Sequence, residues 1–219
     1  MNSLQLKLLA CLTMLIDHIG FLFFPEQIAW RIIGRLSFPL FAFLIAEGYS
    51  KTKDRNKYFG RLFLFGIISQ IPYKYFHELG GYDFFSLNIF FTLALGVAAL
   101  AAADKIKSLP LRISTNIIIL VIAYVSGASY GIYGILTILA SGLYLKSKDA
   151  GVASLTTIPV LEAARISLTG LNLIQAFAVF GIVPILFYNG NLGPRISRWW
   201  FYWFYPANMI ILALIYLCI

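Results

Sequence analysis

The sequence predicts an all-α, polytopic transmembrane helical bundle of about nine spans with its N-terminus in the cytoplasm, and three observations carry that prediction. Of its 219 residues 60% are hydrophobic and 12% charged, with a mean hydropathy of +0.84, more apolar surface than one water-soluble core can enclose. Apolar runs of spanning length, about 17–25 residues, follow one another with little between them. The basic residues sort to one side of the resulting topology, which also accounts for the formal charge of +8 without nucleic acid as a partner.

Taken in order, the spans are residues 4–24, 28–49, 58–76, 84–103, 111–125, 129–145, 151–168, 173–188 and 201–219, in a single domain covering residues 1–219. The first ends in Phe23-Phe24-Pro25 instead of a small-residue cleavage site, so it is read as a retained membrane helix. Pro25-Glu26-Gln27 is so short a connection that the first two helices must pack as a hairpin. Lys51 to Lys57 is a basic stretch, and the basic loop Lys51 to Arg61 is read as a topology signal or as a binder of anionic lipid or a phosphorylated cytosolic cofactor. His77, Gly80, Gly81 and Asp83 make a polar turn, and Ser126-Gly127-Ala128 a tight one. The seventh segment carries Pro159, Glu162 and Arg165 and reads as a span or as a re-entrant piece buried in protein. Keeping it as a span matters for the charges. With nine spans the cytoplasmic ends hold Lys7; Lys51, Lys53, Arg55, Lys57 and Arg61; Lys105, Lys107 and Arg112; Lys146 and Lys148; Arg195 and Arg198. Only Arg31, Arg35, Lys74 and Arg165 fall on the other side.

The same topology places Asp17, His18, Arg31, Arg35, Gln70, Asn88, Ser129, Tyr130, Glu162, Arg165, Asn172 and Gln175 in the outer half, which predicts a cavity opening outward. Glu47 and the run Trp199-Trp200-Phe201-Tyr202-Trp203 fall on the inner side, where an aromatic belt is expected. Prolines 39, 72, 159, 184 and 206 lie inside predicted spans, each removing a donor and freeing a carbonyl four residues earlier; Pro39 frees that of Arg35. Cys11 and Cys218 have no metal-like spacing and read as small apolar residues.

Asp17 and His18 are the functional question, because ionisable groups inside a span normally face a partner, a wet cavity or a substrate. Asp17 and Arg35 stand nine residues on either side of Glu26, so at 1.5 Å rise per residue both lie about 13 Å from the turn. They are expected to form an ion pair that fixes the hairpin. His18 points about 100° away from Asp17 and is left free to present its ring elsewhere, either as a proton acceptor and donor or as a link between helices. Arg31, one turn before Arg35, reads as a snorkelling interfacial arginine or as a second hand on an anion. Gly127 and Gly131, followed by Gly134, have the spacing of close helix packing; the other reading is a backbone that approaches a ligand. Glu162 and Arg165 form a local pair, and His77 lies in a loop without a clear partner.

Leu15-Ile16-Asp17-His18-Ile19, residues 34–43 (Gly-Arg-Leu-Ser-Phe-Pro-Leu-Phe-Ala-Phe), residues 88–94, residues 126–134 and Phe204-Tyr205-Pro206 together resemble the TraX family, whose founding member N-acetylates the conjugative pilin. The order and spacing agree over nearly the whole chain. The resemblance implies a multi-pass acetyltransferase of the bacterial cytoplasmic membrane, moving acetyl from cytosolic acetyl-CoA to an amine or hydroxyl on a pilin-like protein or surface glycan. By that likeness Asp17, His18 and Arg35 match the family's polar signature; on their chemistry they are the candidate catalytic set, with His18 as base and Arg35 or Arg31 stabilising the oxyanion. Arg31, Asn88, Ser129, Tyr130 and Asn208 are the candidate substrate-binding set. Members that carry a histidine where this chain has Asn208 mark a departure, since an amide cannot act as a base near neutral pH. A small secondary transporter and a pilus or secretion assembly factor are the alternatives.

Overall fold

The structure, a computed structural model, describes residues 1–82, 86–168, 173–194 and 196–219; Asp83, Phe84, Asn172 and Arg195 lie outside the described residues. Apart from an isolated bridge between Leu87 and Ala128, the regular structure among the described residues is helical. Helix α1 (Ser3–Phe23) opens with a capping box, in which Asn2 and Gln5 each accept the other's backbone N–H at 2.9 Å. Its partner runs as α2 (Ile28–Gly34) and α3 (Ser37–Lys51). The break at Arg35-Leu36 falls one turn before Pro39, which has no N–H for the Arg35 carbonyl and crowds it.

Helix α4 (Arg55–Leu79) starts at Asp54, whose carboxylate accepts the Lys57 N–H at 2.9 Å and is held below the usual carboxylate range by it. Then come α5 (Ile89–Lys105), α6 (Leu109–Val125), α7 (Gly131–Lys146), α8 (Lys148–Ser167), a 3₁₀ helix (Leu173–Gly181), α9 (Ile182–Leu186) and α10 (Arg198–Cys218). The segment carrying Glu162 is one continuous helix. The eighth expected span is instead a 3₁₀ helix running into the short α9. At its end Gly181 comes so close to the α2–α3 break that a Cβ would lie 3.0 Å from Pro39 and 3.1 Å from the Leu36 carbonyl.

Helix α1 packs against α2, α3 and α10, while α7 lies against α3, α5 and α8. Phe38, Phe65, Phe76, Phe90, Leu93 and Met209 fill one core cluster and Leu6, Leu40, Phe43, Tyr144 and Ile185 a second. The outside is apolar too: Leu111, Ile113, Ile117, Ile118 and Val121 of α6 and Ile210, Ile211, Leu214 and Leu217 of α10 are all exposed. A chain in water would not leave such faces bare, and a helix that is apolar all round belongs inside protein or lipid. By length and apolarity alone, Ser3–Phe23, Ile28–Lys51 and Arg198–Cys218 can cross a membrane; α6, α7 and Leu173–Leu186 are apolar but shorter. Trp199, Trp200 and Trp203 are exposed at the start of α10.

Candidate functional site

A cavity of about 680 Å³ runs through the bundle between two polar ends. At the first end, Asp17 receives Arg31 Nη1 on Oδ2 at 3.0 Å and Arg35 Nη2 on Oδ1 at 3.1 Å. Both arginines therefore hold an anion together, and the anion is the protein's own carboxylate. The snorkelling reading of Arg31 is overturned: its Nη1 also donates to the Asp17 carbonyl at 3.3 Å, and its guanidinium lies 5.3 Å from the Phe21 ring centroid. Arg35 donates from Nε to the Arg31 carbonyl at 3.3 Å and from Nη1 to Gln175 Oε1 at 3.4 Å, so each of its three nitrogens is engaged. Gly34 makes the arrangement possible, since a Cβ there would meet the Asp17 carboxylate at 2.1 Å. Two guanidinium groups on one carboxylate leave a formal charge of +1.

His18 turns away from this cluster, as its helical offset from Asp17 requires. Its Nδ1 pairs with Asn208 Oδ1 on α10, and its ring packs on Phe76 and Tyr205 with centroids 5.2 and 6.1 Å away. The Asn208 amide is itself tied down, Nδ2 donating to the Phe204 carbonyl at 2.8 Å and the Tyr205 carbonyl at 3.0 Å. With Nδ2 spent as donor, Oδ1 is the acceptor, so His18 carries its proton on Nδ1 and keeps the lone pair on Nε2. His18 lines the cavity.

The other expected site residues divide. Ser129 and Tyr130 line the cavity, Tyr130 with a left-handed backbone (φ 65°) and its ring stacked on Phe38 at 4.0 Å. Asn88, expected beside them, is instead fully buried: it caps α5 through the Phe90 N–H at 3.0 Å and donates to the Gly66 carbonyl and Gln70 Oε1. Asn208, expected to bind substrate, reaches the cavity only through His18. Among the described residues close helix packing falls at Gly134, where a Cβ would meet Thr92 of α5 at 2.5 Å, and not at Gly127 and Gly131. Gly127 and Gly131 have φ of 61° and 44°, and the turn they frame bonds to Leu87 through Leu87 N–H to the Gly127 carbonyl at 3.1 Å and Ser129 N–H to the Leu87 carbonyl at 2.8 Å. Glu162 and Arg165 form the expected pair, at 2.7 Å.

His77 corrects a second expectation. It sits in the last turn of α4, bonded through Nδ1 to the Tyr73 carbonyl at 2.8 Å, packed on the Phe21 and Tyr73 rings, and it lines the same cavity as His18. The helix continues past Phe76 to its Gly80 cap, and the Gly-Gly pair at positions 80 and 81 was the sequence signal for that later end.

At the far end, about 16 Å back along α1 from His18 at 1.5 Å per residue, the lining turns basic. Lys7, Lys51, Arg61 and Arg198 face the cavity together with Glu47. Glu47 is nearly fully buried and takes Ser3 Oγ at 3.1 Å, Lys51 Nζ at 2.6 Å and the Tyr188 hydroxyl. Lys7, Arg61 and Arg198 have no ion-pair partner among the described residues; Lys7 lies over Phe201 and Arg61 beside Tyr58. Of the basic connection, Arg55 and Lys57 pair with Asp104 and Asp54 instead of facing the cavity.

A family model described as TraX protein matches residues 3–216. A probable fimbrial assembly protein FimC, serogroup H1, of Dichelobacter nodosus is 32% identical, with 97% of this chain and 94% of the relative covered. Protein TraX of Escherichia coli is 27% identical over 96% of this chain and 85% of its own length. The uncharacterized protein RP591 of Rickettsia prowazekii is 36% identical over 42% of this chain and 33% of its own length. No solved structure matches.

Proposed function

The chain belongs to the TraX family, and on that premise we propose that it is an acetyltransferase of the bacterial cytoplasmic membrane that moves acetyl from acetyl-CoA to an amine or hydroxyl of a pilin-like protein or envelope glycan. The observation that carries this reading is the anchored Asn208 amide on His18 Nδ1, which leaves Nε2 as a proton acceptor beside the cavity. A general base needs that tautomer and that access.

The two ends of the cavity suit the two substrates. The arm of acetyl-CoA between its diphosphate and its thioester counts roughly four residue equivalents, about 14 Å at 3.3–3.6 Å each, close to the distance along α1 between Lys7 and His18. Lys7, Arg61 and Arg198 are the residues that would hold the phosphates. At the other end the formal +1 of the Asp17, Arg31 and Arg35 cluster disfavours an ammonium and keeps an acceptor amine in its neutral, nucleophilic form. The nitrogen lone pair forms the new C–N bond to the thioester carbon while the C=O pair moves onto oxygen, and the amine proton passes to His18 Nε2. Return of that pair breaks the C–S bond, and the departing thiolate takes the proton back from His18. Acetyl-CoA and amine enter; acetamide and thiol leave. The topology that goes with this reading has nine spans and a cytoplasmic N-terminus, with the lysine end facing the cytosol.

Membranes holding the protein and given labelled acetyl-CoA should transfer label to an envelope acceptor, and His18→Ala should lower the transfer by 10²–10⁴-fold while the protein stays inserted. Unchanged labelling would discard the assignment. A second reading, pilus assembly without acyl transfer, is favoured by the name of the Dichelobacter nodosus relative; restoration of pilus formation by the His18→Ala protein would support it.

A further inference from the structure

We infer that Gln175 Nε2 and Tyr133 Oη form the pocket for the acetyl carbonyl oxygen, a role that rests on the acetyl-transfer reading and replaces the arginines expected to perform it. Arg35 has its three nitrogens engaged by the Arg31 carbonyl, Asp17 and Gln175, and Arg31 is committed to Asp17. One carboxylate answers one of their two charges and fixes where both guanidinium groups point. At this end of the cavity, the buried side-chain atoms that meet no partner among the described residues are neutral ones.

Gln175 is 8% exposed and lines the cavity. Its amide has only one sensible orientation, because a guanidinium is donor-only and Arg35 Nη1 therefore fixes Oε1 toward itself. Nε2 then faces the other way, and it meets no hydrogen-bond partner among the described residues. Tyr133, 4% exposed, lines the same cavity; the side chains of Gln175 and Thr137 lie near its hydroxyl, which makes no hydrogen bond of normal geometry among the described residues. Buried donors left unmade are rare in native proteins and call for an explanation. Two neighbouring ones, braced by the cationic Arg35 and set in a cavity that His18 also lines, are the parts of an oxyanion hole. The 3₁₀ conformation of residues 173–181 has the same consequence: it holds Gln175 against the α2–α3 break, where Arg35 lies. At the addition step the electron pair leaving the thioester C=O settles on an oxygen held by these two donors, and it returns from there when the C–S bond breaks.

The test uses the full chain in lipid nanodiscs with Gln175→Glu, which keeps the shape and the Arg35 contact but removes the donor, and Tyr133→Phe, which removes only the hydroxyl. Each variant should lower kcat for acetyl transfer about 10²-fold with KM for acetyl-CoA little changed. Binding supplies a readout independent of turnover, in the affinity ratio of a ketone analogue of acetyl-CoA to the analogue with a methylene in place of the carbonyl. The wild-type protein should favour the ketone about tenfold and both variants should lose the preference. If His18→Ala abolishes transfer but the two variants keep kcat and the preference, the carbonyl pocket is wrong and the acetyltransferase reading stands. If the wild-type protein shows the preference, lost in both variants, yet transfers no acetyl, the pocket stands and the proposed reaction falls. No preference in the wild-type protein overturns the pocket outright.

Discussion

The two ends of the cavity use charge in opposite ways. At the histidine end, one carboxylate holds two guanidinium groups, and Arg35 also donates from Nε to a backbone carbonyl and from Nη1 to Gln175. At the lysine end, Lys51 pairs with Glu47, while Lys7, Arg61 and Arg198 face the same cavity with no carboxylate of their own among the described residues. Charges that answer one another inside the protein build the architecture of a site. Charges that do not are available to a ligand, which in the proposed reaction is the diphosphate of acetyl-CoA.

Breaking the answered end should cost the fold first. Asp17→Asn keeps the shape but leaves two guanidinium groups unpaired in a mostly buried place, which should destabilise the protein by about 3–5 kcal/mol, seen as a lower unfolding temperature in detergent. Arg31→Met should cost clearly less, since Arg35 still answers the carboxylate; equal losses in the two variants would remove the distinction drawn between the ends. At the lysine end, Arg61→Gln or Lys7→Gln should leave the unfolding temperature in place and raise KM for acetyl-CoA about tenfold, the scale of a lost charge-assisted contact of ~1.5 kcal/mol, with kcat unchanged. Added salt should blunt the difference between variant and wild type. A fall in stability matching that of Asp17→Asn would show instead that the lysine end is structural.

How much of this was legible in the sequence follows from how local each contact is. The Asp17–Arg35 pair could be counted out because only three residues join the two helices, so depth on one fixes depth on the other. The His18–Asn208 contact joins positions 190 residues apart and depends on α10 packing against α1, which no periodicity records; read along the chain, Asn208 is only a missing histidine. Gln175 was visible as a polar residue, but its free donor is a consequence of the Arg35 contact and of a 3₁₀ segment where a regular span is expected. The tight turn at residues 126–128 is where the sequence places it, but the Gly127 and Gly131 spacing pointed to helix packing because glycine spacing alone does not separate a packed helix face from a left-handed turn. Asn88 was misplaced for a related reason. A polar residue that opens an apolar run is as readily a helix cap as a cavity wall, and here it is the cap.

The central claim is that His18 Nε2 accepts the proton and Asn208 sets the tautomer that allows it. The pH–rate profile of acetyl transfer for the wild-type protein and Asn208→Asp tests it most directly. A base must be unprotonated to act, so the rate should fall on the acid side in both. A carboxylate placed against Nδ1 favours the imidazolium and should move that acid limb to higher pH. Superimposed profiles, or a transfer rate with no acid limb, would contradict the account.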